Sequence, residues 1–269
     1  MTFGPERDIC SGVSEIIFFF IGLATGGIGT LVGAGGGFLL APLFIFVFPD
    51  MQPSRLTALS LMAVAANSIS GSIGYAVRKK VHWPSVVMFS IAAVPGVLVG
   101  IELNDVLPRH TFELVFAIFL MCMSAFVLWR SFHKKVDHAD PSGFWNKRNK
   151  LLGSFISFFI GIISSLLGIG GGIIHVPLLS EVLEYPIHLA AGTSHAILAI
   201  SSVFAVVGHF LKGDYANLES FVPYLVVGLV LGAQGGAAIS KKIASRWILR
   251  VLGLALLMVA TRLLIKNLG

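Results

Sequence analysis

The sequence contains few charged residues for its length. Of its 269 residues, only 12% are Asp, Glu, Lys or Arg, whereas a soluble domain usually carries about 25%. Its 13 acidic and 19 basic side chains cannot cover a core of this size with a polar surface, so an ordinary soluble enzyme is excluded. The hydrophobic share of 56% and the mean hydropathy of +0.89 instead predict an all-α polytopic membrane protein that lies in a lipid bilayer.

The sequence also lacks the residue clusters on which most enzymes and metalloproteins depend. Its two cysteines, Cys10 and Cys122, have no CxxC motif or His cluster nearby, so neither a disulfide framework nor a metal site is predicted. It contains no nucleophile beside a base and no phosphate-binding loop followed by Lys, so we predict neither a catalytic site nor a cofactor. A net charge of +6 without a basic stripe does not indicate a nucleic-acid partner.

Ten apolar runs are present, in two sets of five. They cover residues 12–32, 37–48, 56–77, 84–101 and 111–130, and then 150–168, 172–183, 187–211, 219–239 and 245–265. Most approach the ~20 residues that cross a bilayer as a helix, but the second run of each set is only about a dozen residues long. We expect these two short helices to be interrupted or re-entrant, and the sequence leaves open whether they cross.

The two sets of runs are related in sequence. Residues 33–42 read GAGGGFLLAP and residues 168–177 read GIGGGIIHVP, at a constant spacing of 135 (168 − 33). Similarity at a fixed spacing indicates an internal duplication. We therefore divide the chain into a first repeat at residues 1–130, a polar linker at residues 131–149 and a second repeat at residues 150–269.

The basic residues predict how the repeats are oriented. The linker is the most basic loop, and loops rich in Lys and Arg remain in the cytoplasm. Five segments per repeat then invert the second repeat and place both termini outside. In this topology 13 of the 19 basic residues are cytoplasmic, in the regions 78–80, 130–150 and 241–250. Four spans per repeat would place the last region on the opposite side, so the charge pattern disfavours that alternative.

The two GxGGG motifs are the predicted binding site. Their glycines are Gly35, Gly36 and Gly37 in the first repeat, and Gly170, Gly171 and Gly172 in the second. Each glycine costs about 1 kcal/mol relative to alanine within a helix, so the motifs should break the helices. The short helices that follow, from Phe38 and Ile173, would direct amide groups at one central point. Such amides hold a small anion without a buried Lys or Arg. The alternative is that these glycines serve tight helix packing.

Polar side chains within the apolar runs are rare enough to be candidates for function. The candidates for binding the anion are Ser60, Asn67, Thr193 and Ser194. The mid-run histidines His175 and His195 are candidates for proton coupling, because imidazole titrates near neutral pH. In the alternative interpretation the hydroxyls bond to carbonyls one turn back, and each histidine is a neutral ring between helices.

The paired GxGGG motifs, each followed by an apolar run and Pro, and the segment AAGTSH at residues 190–195 resemble the TauE/SafE family of sulfite exporter type. The resemblance covers nearly the whole chain. It implies a multi-pass permease of the inner (plasma) membrane for small sulfur oxyanions or organosulfonates, working as an exporter or proton-coupled secondary carrier. From the residues alone, a passive anion channel and an intramembrane enzyme or assembly factor that handles a sulfur compound stay open as alternatives.

Overall fold

The computed structural model describes residues 6–32, 35–132, 144–216, 220–239 and 245–268, and this part of the chain is helical without strands. The helices are α1 (Glu6–Val32), α2 (Gly37–Val47), α3 (Pro53–Val77), α4 (Trp83–Val106), α5 (Arg109–Phe132), α6 (Lys147–Leu167), α7 (Gly172–Pro177), α8 (Ile187–Lys212), α9 (Val222–Ile239) and α10 (Ser245–Leu268). A π-helical turn, Leu178–Val182, continues α7. The prediction of an all-α polytopic membrane protein is confirmed.

Six helical stretches among the described residues are long and apolar enough to cross a membrane. They lie in α3, α4, α5, α6, α8 and α9. Helix α3 is the most enclosed of them, with 78% of its most apolar window buried against 39–50% for the others. The helices α2 and α7 are short, as predicted, and α7 reaches 11 residues only together with the π-helical turn. The architecture therefore places α3 at the centre, with the short helices beside it.

Two pairs of helices pack closely enough that only glycine fits at the contact. In the pair of α1 and α9, a Cβ added at Gly232 would collide with the carbonyl oxygen of Leu23. In the pair of α4 and α6, a Cβ at Gly96 would collide with the carbonyl oxygen of Phe158. The two contacts match at the repeat spacing, since 232 − 96 is 136 and 158 − 23 is 135. In both pairs, residues that come later in one helix contact residues that come later in the other. The paired helices therefore run parallel.

Two sets of counterparts between the predicted repeats, α3 with α8 and α5 with α10, pair with each other and run antiparallel. In α3 and α8, the hydroxyls of Ser68 and Ser202 lie 3.4 Å apart, and the hydroxyl of Tyr215, just beyond α8, donates to the carbonyl of Ala58 at 3.0 Å. In α5 and α10, a similar reversal is seen: Ser124 donates to the carbonyl of Gly253 at 2.8 Å, and Lys266 lies 3.0 Å from Glu113. Antiparallel counterparts are what two inverted repeats would produce.

The far ends of both short helices are capped by polar side chains. The guanidinium of Arg109 donates to the carbonyls of Ile45 and Phe48, at 3.3 and 3.4 Å, at the end of α2. The amide of Asn149 donates to the carbonyl of Leu183 at 3.1 Å, just after the π-helical turn. Because the last carbonyls of a helix have no intrahelical donor, these contacts hold the short helices against α5 and α6.

Neighbouring glycines of α9 test the packing of α1 on α9. A Cβ at Gly236 would collide with the carbonyl of Gly27, whereas a Cβ at Gly235 would meet nothing within 4 Å. We expect Gly236→Ala to lower the free energy of unfolding by about 1–3 kcal/mol through overpacking, while Gly235→Ala leaves it unchanged or raises it slightly through helix propensity. The midpoint of thermal unfolding in detergent measures both. Equal midpoints for the two variants would contradict the packing.

Candidate functional site

The two glycine breaks lie side by side in the interior of the protein. All six glycines of the motifs are buried. Gly35 and Gly170 occupy matching positions and have φ angles of 72° and 63°, a left-handed conformation that favours glycine. A Cβ added at Gly37 would lie 3.1 Å from the carbonyl oxygen of Ile169, which belongs to the second break. The structure thus brings together two motifs that lie in opposite halves of the sequence.

One face of α3 contacts both breaks. Ser60, Val64 and Asn67 follow each other at the spacing of four and three residues that places side chains on one side of a helix. The hydroxyl of Ser60 donates to the carbonyl of Gly168 at 2.5 Å and lies 3.5 Å from the carbonyl oxygen of Gly37. Ser60 therefore joins the central helix to both motifs, and the structure places it at the breaks.

A side chain binds one amide of each break. The amide group of Asn67, oriented to satisfy both of its neighbours, accepts from the Gly36 N–H at 3.1 Å and donates to the carbonyl of Gly26 at 3.2 Å. In the second break, the Gly171 N–H donates to the hydroxyl of Ser164 at 2.6 Å. Gly36 and Gly171 are equivalent at the spacing of 135, so the equivalent amide is satisfied from a different helix in each half.

Ser164 is a residue of the site that the sequence does not single out. It lies in the last turn of α6, seven residues before Gly171, where a hydroxyl can reach back to a following break. Its counterpart in the first half is Gly29, whose carbonyl accepts from the Gly35 N–H at 3.2 Å. The difference between serine and glycine at this position explains why the first break needs Asn67 from α3.

Other amides of the breaks have no hydrogen-bond acceptor among the described residues. In the part of the chain that the structure describes, no hydrogen bond is formed by the N–H groups of Gly37 and Phe38, or by those of Gly170 and Ile173. The N–H groups of Gly37, Phe38 and Ile173 begin the helices α2 and α7, where the helix dipole carries partial positive charge, and that of Gly170 lies two residues before α7. The breaks therefore present unused donors from two directions.

Charged side chains lie away from the breaks. Glu113 is the only charged residue that is buried among those described, and it is paired at 2.7 Å with Arg109 and at 3.0 Å with Lys266. Lys212 pairs with Glu102 and Asp105 at 2.9 and 2.5 Å where α8 ends beside α4. Within the described residues, no group of three His, Cys, Asp or Glu could hold a metal ion. The electrostatics at the breaks come from backbone dipoles.

The structure does not bring Thr193 to the breaks. Its hydroxyl accepts from the backbone N–H of His82 at 3.0 Å, at the turn between α3 and α4. Burial and the nearby charge of Lys150 lower the pKa of the His82 side chain, so this ring is neutral at pH 7. Ser194 is buried next to Thr193 in α8. The hydroxyl of Thr193 therefore holds a turn in place.

His175 joins α7 to α6. Its Nδ1 lies 3.2 Å from the carbonyl oxygen of Gly171, and its Nε2 lies 3.3 Å from the hydroxyl of Ser157. A carbonyl can only accept, so Nδ1 carries the proton and Nε2 accepts from the serine in the neutral ring. Both ring nitrogens of His175 therefore help to hold the second break in place. This arrangement fits the alternative in which His175 is a neutral ring between two helices.

His195 differs from His175 because neither ring nitrogen makes a hydrogen bond of good geometry among the described residues. It is fully buried, and the backbone of Thr30 is its nearest hydrogen-bonding group. The ring stacks on Tyr75 with centroids 5.5 Å apart, and a Cβ at Gly71 would lie 3.4 Å from its Nδ1. Asn67, Gly71 and Tyr75 lie on one face of α3. A buried polar group with a weak hydrogen bond contributes little to stability, so His195 remains a candidate for a functional role.

These features define a class: polytopic membrane proteins with two broken helices that meet beside a central helix. The chain belongs to the sulfite exporter TauE/SafE family, whose model matches residues 18–263. It is 26% identical to the probable membrane transporter protein YunE of Bacillus subtilis (strain 168), over 95% of this chain and 99% of that protein. It is 28% identical to the probable membrane transporter protein y4hK of Sinorhizobium fredii (strain NBRC 101917 / NGR234), over 91% and 94% of the two chains. No solved structure matches the chain.

Two serines of α6 test the bond that holds the second break. We expect Ser164→Ala to lower the free energy of unfolding by about 1–3 kcal/mol, because it leaves the Gly171 N–H buried without an acceptor. Ser154→Ala is the matched control, since the Ser154 hydroxyl is buried without a partner in the described structure and its loss should be neutral. Thermal unfolding in detergent compares them. A Ser164→Ala variant as stable as Ser154→Ala would show that the bond contributes nothing.

Proposed function

We propose that the protein carries a small anion across the plasma membrane and binds it between the Gly35–Gly37 and Gly170–Gly172 breaks. The observation that supports this site is the meeting of the two breaks in the core, with unused amide donors and no charged side chain beside them among the described residues. Backbone amides at helix starts bind anions in many proteins. The family description, sulfite exporter, favours a sulfur oxyanion or an organosulfonate as the substrate.

Two side chains complete the proposed site. Ser60 lies between the breaks and, by rotating its hydroxyl, can donate to an anion instead of to the Gly168 carbonyl. Asn67 holds the Gly36 amide and can release it to a stronger acceptor, because an anion accepts more strongly than a neutral amide oxygen. Thr193 and Ser194 are not part of this proposal, because Thr193 bonds to the α3–α4 turn.

The proposed mechanism is alternating access by a secondary carrier. Carriers of this type are often built from inverted repeats with broken helices around a midplane site. The antiparallel pairing of α3 with α8 and of α5 with α10 supports the inversion of residues 1–130 relative to residues 150–269. We propose that the linker, residues 131–149, is cytoplasmic and that both termini are outside. The distribution of basic residues supports this orientation.

Flux into proteoliposomes tests the proposal. We expect saturable uptake of at least one of sulfite, sulfate, thiosulfate and sulfoacetate, and counterflow driven by unlabelled anion, which a channel does not give. Gly171→Val should abolish the flux, because a Cβ there would already lie 2.5 Å from Ile160. Gly253→Val is the control, since Gly253 is equally crowded by Leu128, at 2.7 Å, but lies in α10. Absence of flux for all four anions would refute the oxyanion proposal, and unchanged flux in Gly171→Val would refute the site.

His195 is the candidate for proton coupling, because its buried, weakly bonded ring packs against the α3 face that carries Asn67. We expect His195→Ala to flatten the dependence of uptake on a pH gradient, because the group that takes up the proton is gone. His175→Ala is the comparison, since both nitrogens of His175 are used in hydrogen bonds, and it should reduce stability without changing the shape of the pH profile. A wild-type pH profile in folded His195→Ala would remove His195 from the mechanism.

A further inference from the structure

Two apolar side chains lie on the left-handed glycines of the breaks. A Cβ added at Gly35 would lie 2.6 Å from Cδ2 of Leu198, and a Cβ added at Gly170 would collide with Cγ1 of Val64. Val64 is fully buried and Leu198 is 1% exposed. Each side chain therefore occupies the space in front of a glycine that lies within three residues of unused amides, those of Gly37 and Phe38 in the first break and those of Gly170 and Ile173 in the second.

The two contacts are counterparts that cross between the halves. Gly170 follows Gly35 at a spacing of 135 (170 − 35), and Leu198 follows Val64 at a spacing of 134 (198 − 64). Val64 of the first half covers the second break, and Leu198 of the second half covers the first break. An apolar side chain thus lies against a left-handed glycine in both breaks, although the residue is valine in one case and leucine in the other. Its repetition indicates that this contact belongs to the site and is more than incidental packing.

Val64 also touches the first break, because a Cβ at Gly37 would collide with its Cγ2. Its side chain therefore lies between Gly37 and Gly170, on the same α3 face as Ser60 and Asn67. These neighbours offer hydrogen bonds, whereas the isopropyl group of Val64 offers none. A ligand held by the amides would meet Val64 and Leu198 with the part of its surface that is not hydrogen-bonded.

We propose that Val64 and Leu198 are the specificity-determining residues of the site and set the largest anion that it accepts. The proposal rests on the proposed anion transport and adds which side chains limit the substrate. In an apolar pocket, one methylene changes discrimination between ligands by about 10-fold to 200-fold. Shortening either side chain should therefore admit larger anions, and lengthening Val64 should exclude them.

The test is uptake of a graded pair of alkanesulfonates, methanesulfonate and propanesulfonate, into proteoliposomes. We expect Val64→Ala and Leu198→Ala each to raise the ratio of propanesulfonate to methanesulfonate uptake by about tenfold or more. The matched controls are Val86→Ala and Leu256→Ala, which shorten equally buried side chains outside the breaks. These controls should keep the wild-type ratio even where they lower the total amount of folded protein.

Two smaller changes keep the test valid if the alanine variants do not fold. Val64→Ile adds one methylene and should lower the ratio at a stability cost of about 1–3 kcal/mol, whereas Leu198→Val removes one, should raise the ratio and leaves a smaller cavity than Leu198→Ala. A ratio within twofold of wild type in all folded variants would overturn the inference. If the wild-type protein transports neither these probes nor any inorganic sulfur oxyanion, the proposed function itself fails, whereas wild-type flux with unchanged ratios refutes only the roles of Val64 and Leu198.

Discussion

The structure depends on one constraint: a helix that breaks inside a membrane leaves backbone donors and acceptors that lipid cannot satisfy. Two such breaks occur in this chain, and the protein meets the constraint by placing them together and surrounding them with other helices. Ser60 bonds the carbonyl of Gly168, Asn67 bonds the amide of Gly36, and Ser164 bonds the amide of Gly171. The burial of α3, greater than that of any other candidate span, follows because it lies against both breaks.

The constraint is met differently in the two halves, although the glycine motifs are alike. In the second half the hydroxyl that bonds the Gly171 amide, Ser164, is on the helix that leads into the break. In the first half Gly29 stands at that position and the equivalent bond comes from Asn67 on the central helix. Both breaks are bonded to α3, the first through the amide of Gly36 and the second through the carbonyl of Gly168. The halves therefore differ in which backbone group of the break α3 binds.

Much of the fold could be predicted from the sequence, because lipid-facing helices are long apolar runs. The run at residues 37–48 corresponds to α2 at Gly37–Val47. The run at residues 84–101 falls short of the end of α4 at Val106, because Glu102 and Asp105 continue the helix while pairing with Lys212. Polar helix ends have no apolar signal, so their extent depends on ion pairs with distant residues.

The residues of the proposed site differ in how visible they are in the sequence. The glycine motifs, Ser60 and Asn67 carry signals, because clustered glycines and polar side chains are unusual in apolar runs. Val64 carries none, since a valine within an apolar run looks like any other core residue. The sequence makes Thr193 a candidate for binding the anion, but in the structure its hydroxyl bonds to the turn between α3 and α4. The partner of a hydroxyl depends on tertiary contacts, which the sequence does not reveal.

The parallel helix contacts of α1 with α9 and of α4 with α6, here called seams, each join a helix of the first half to one of the second. At these seams backbone meets backbone, with glycine on one side and a carbonyl on the other, so little sliding is possible without separating the helices. A motion of one sequence half against the other would have to break both seams at once. Helices that moved together would therefore come from both halves of the sequence, and the boundary between the predicted repeats would not be the boundary between the moving parts.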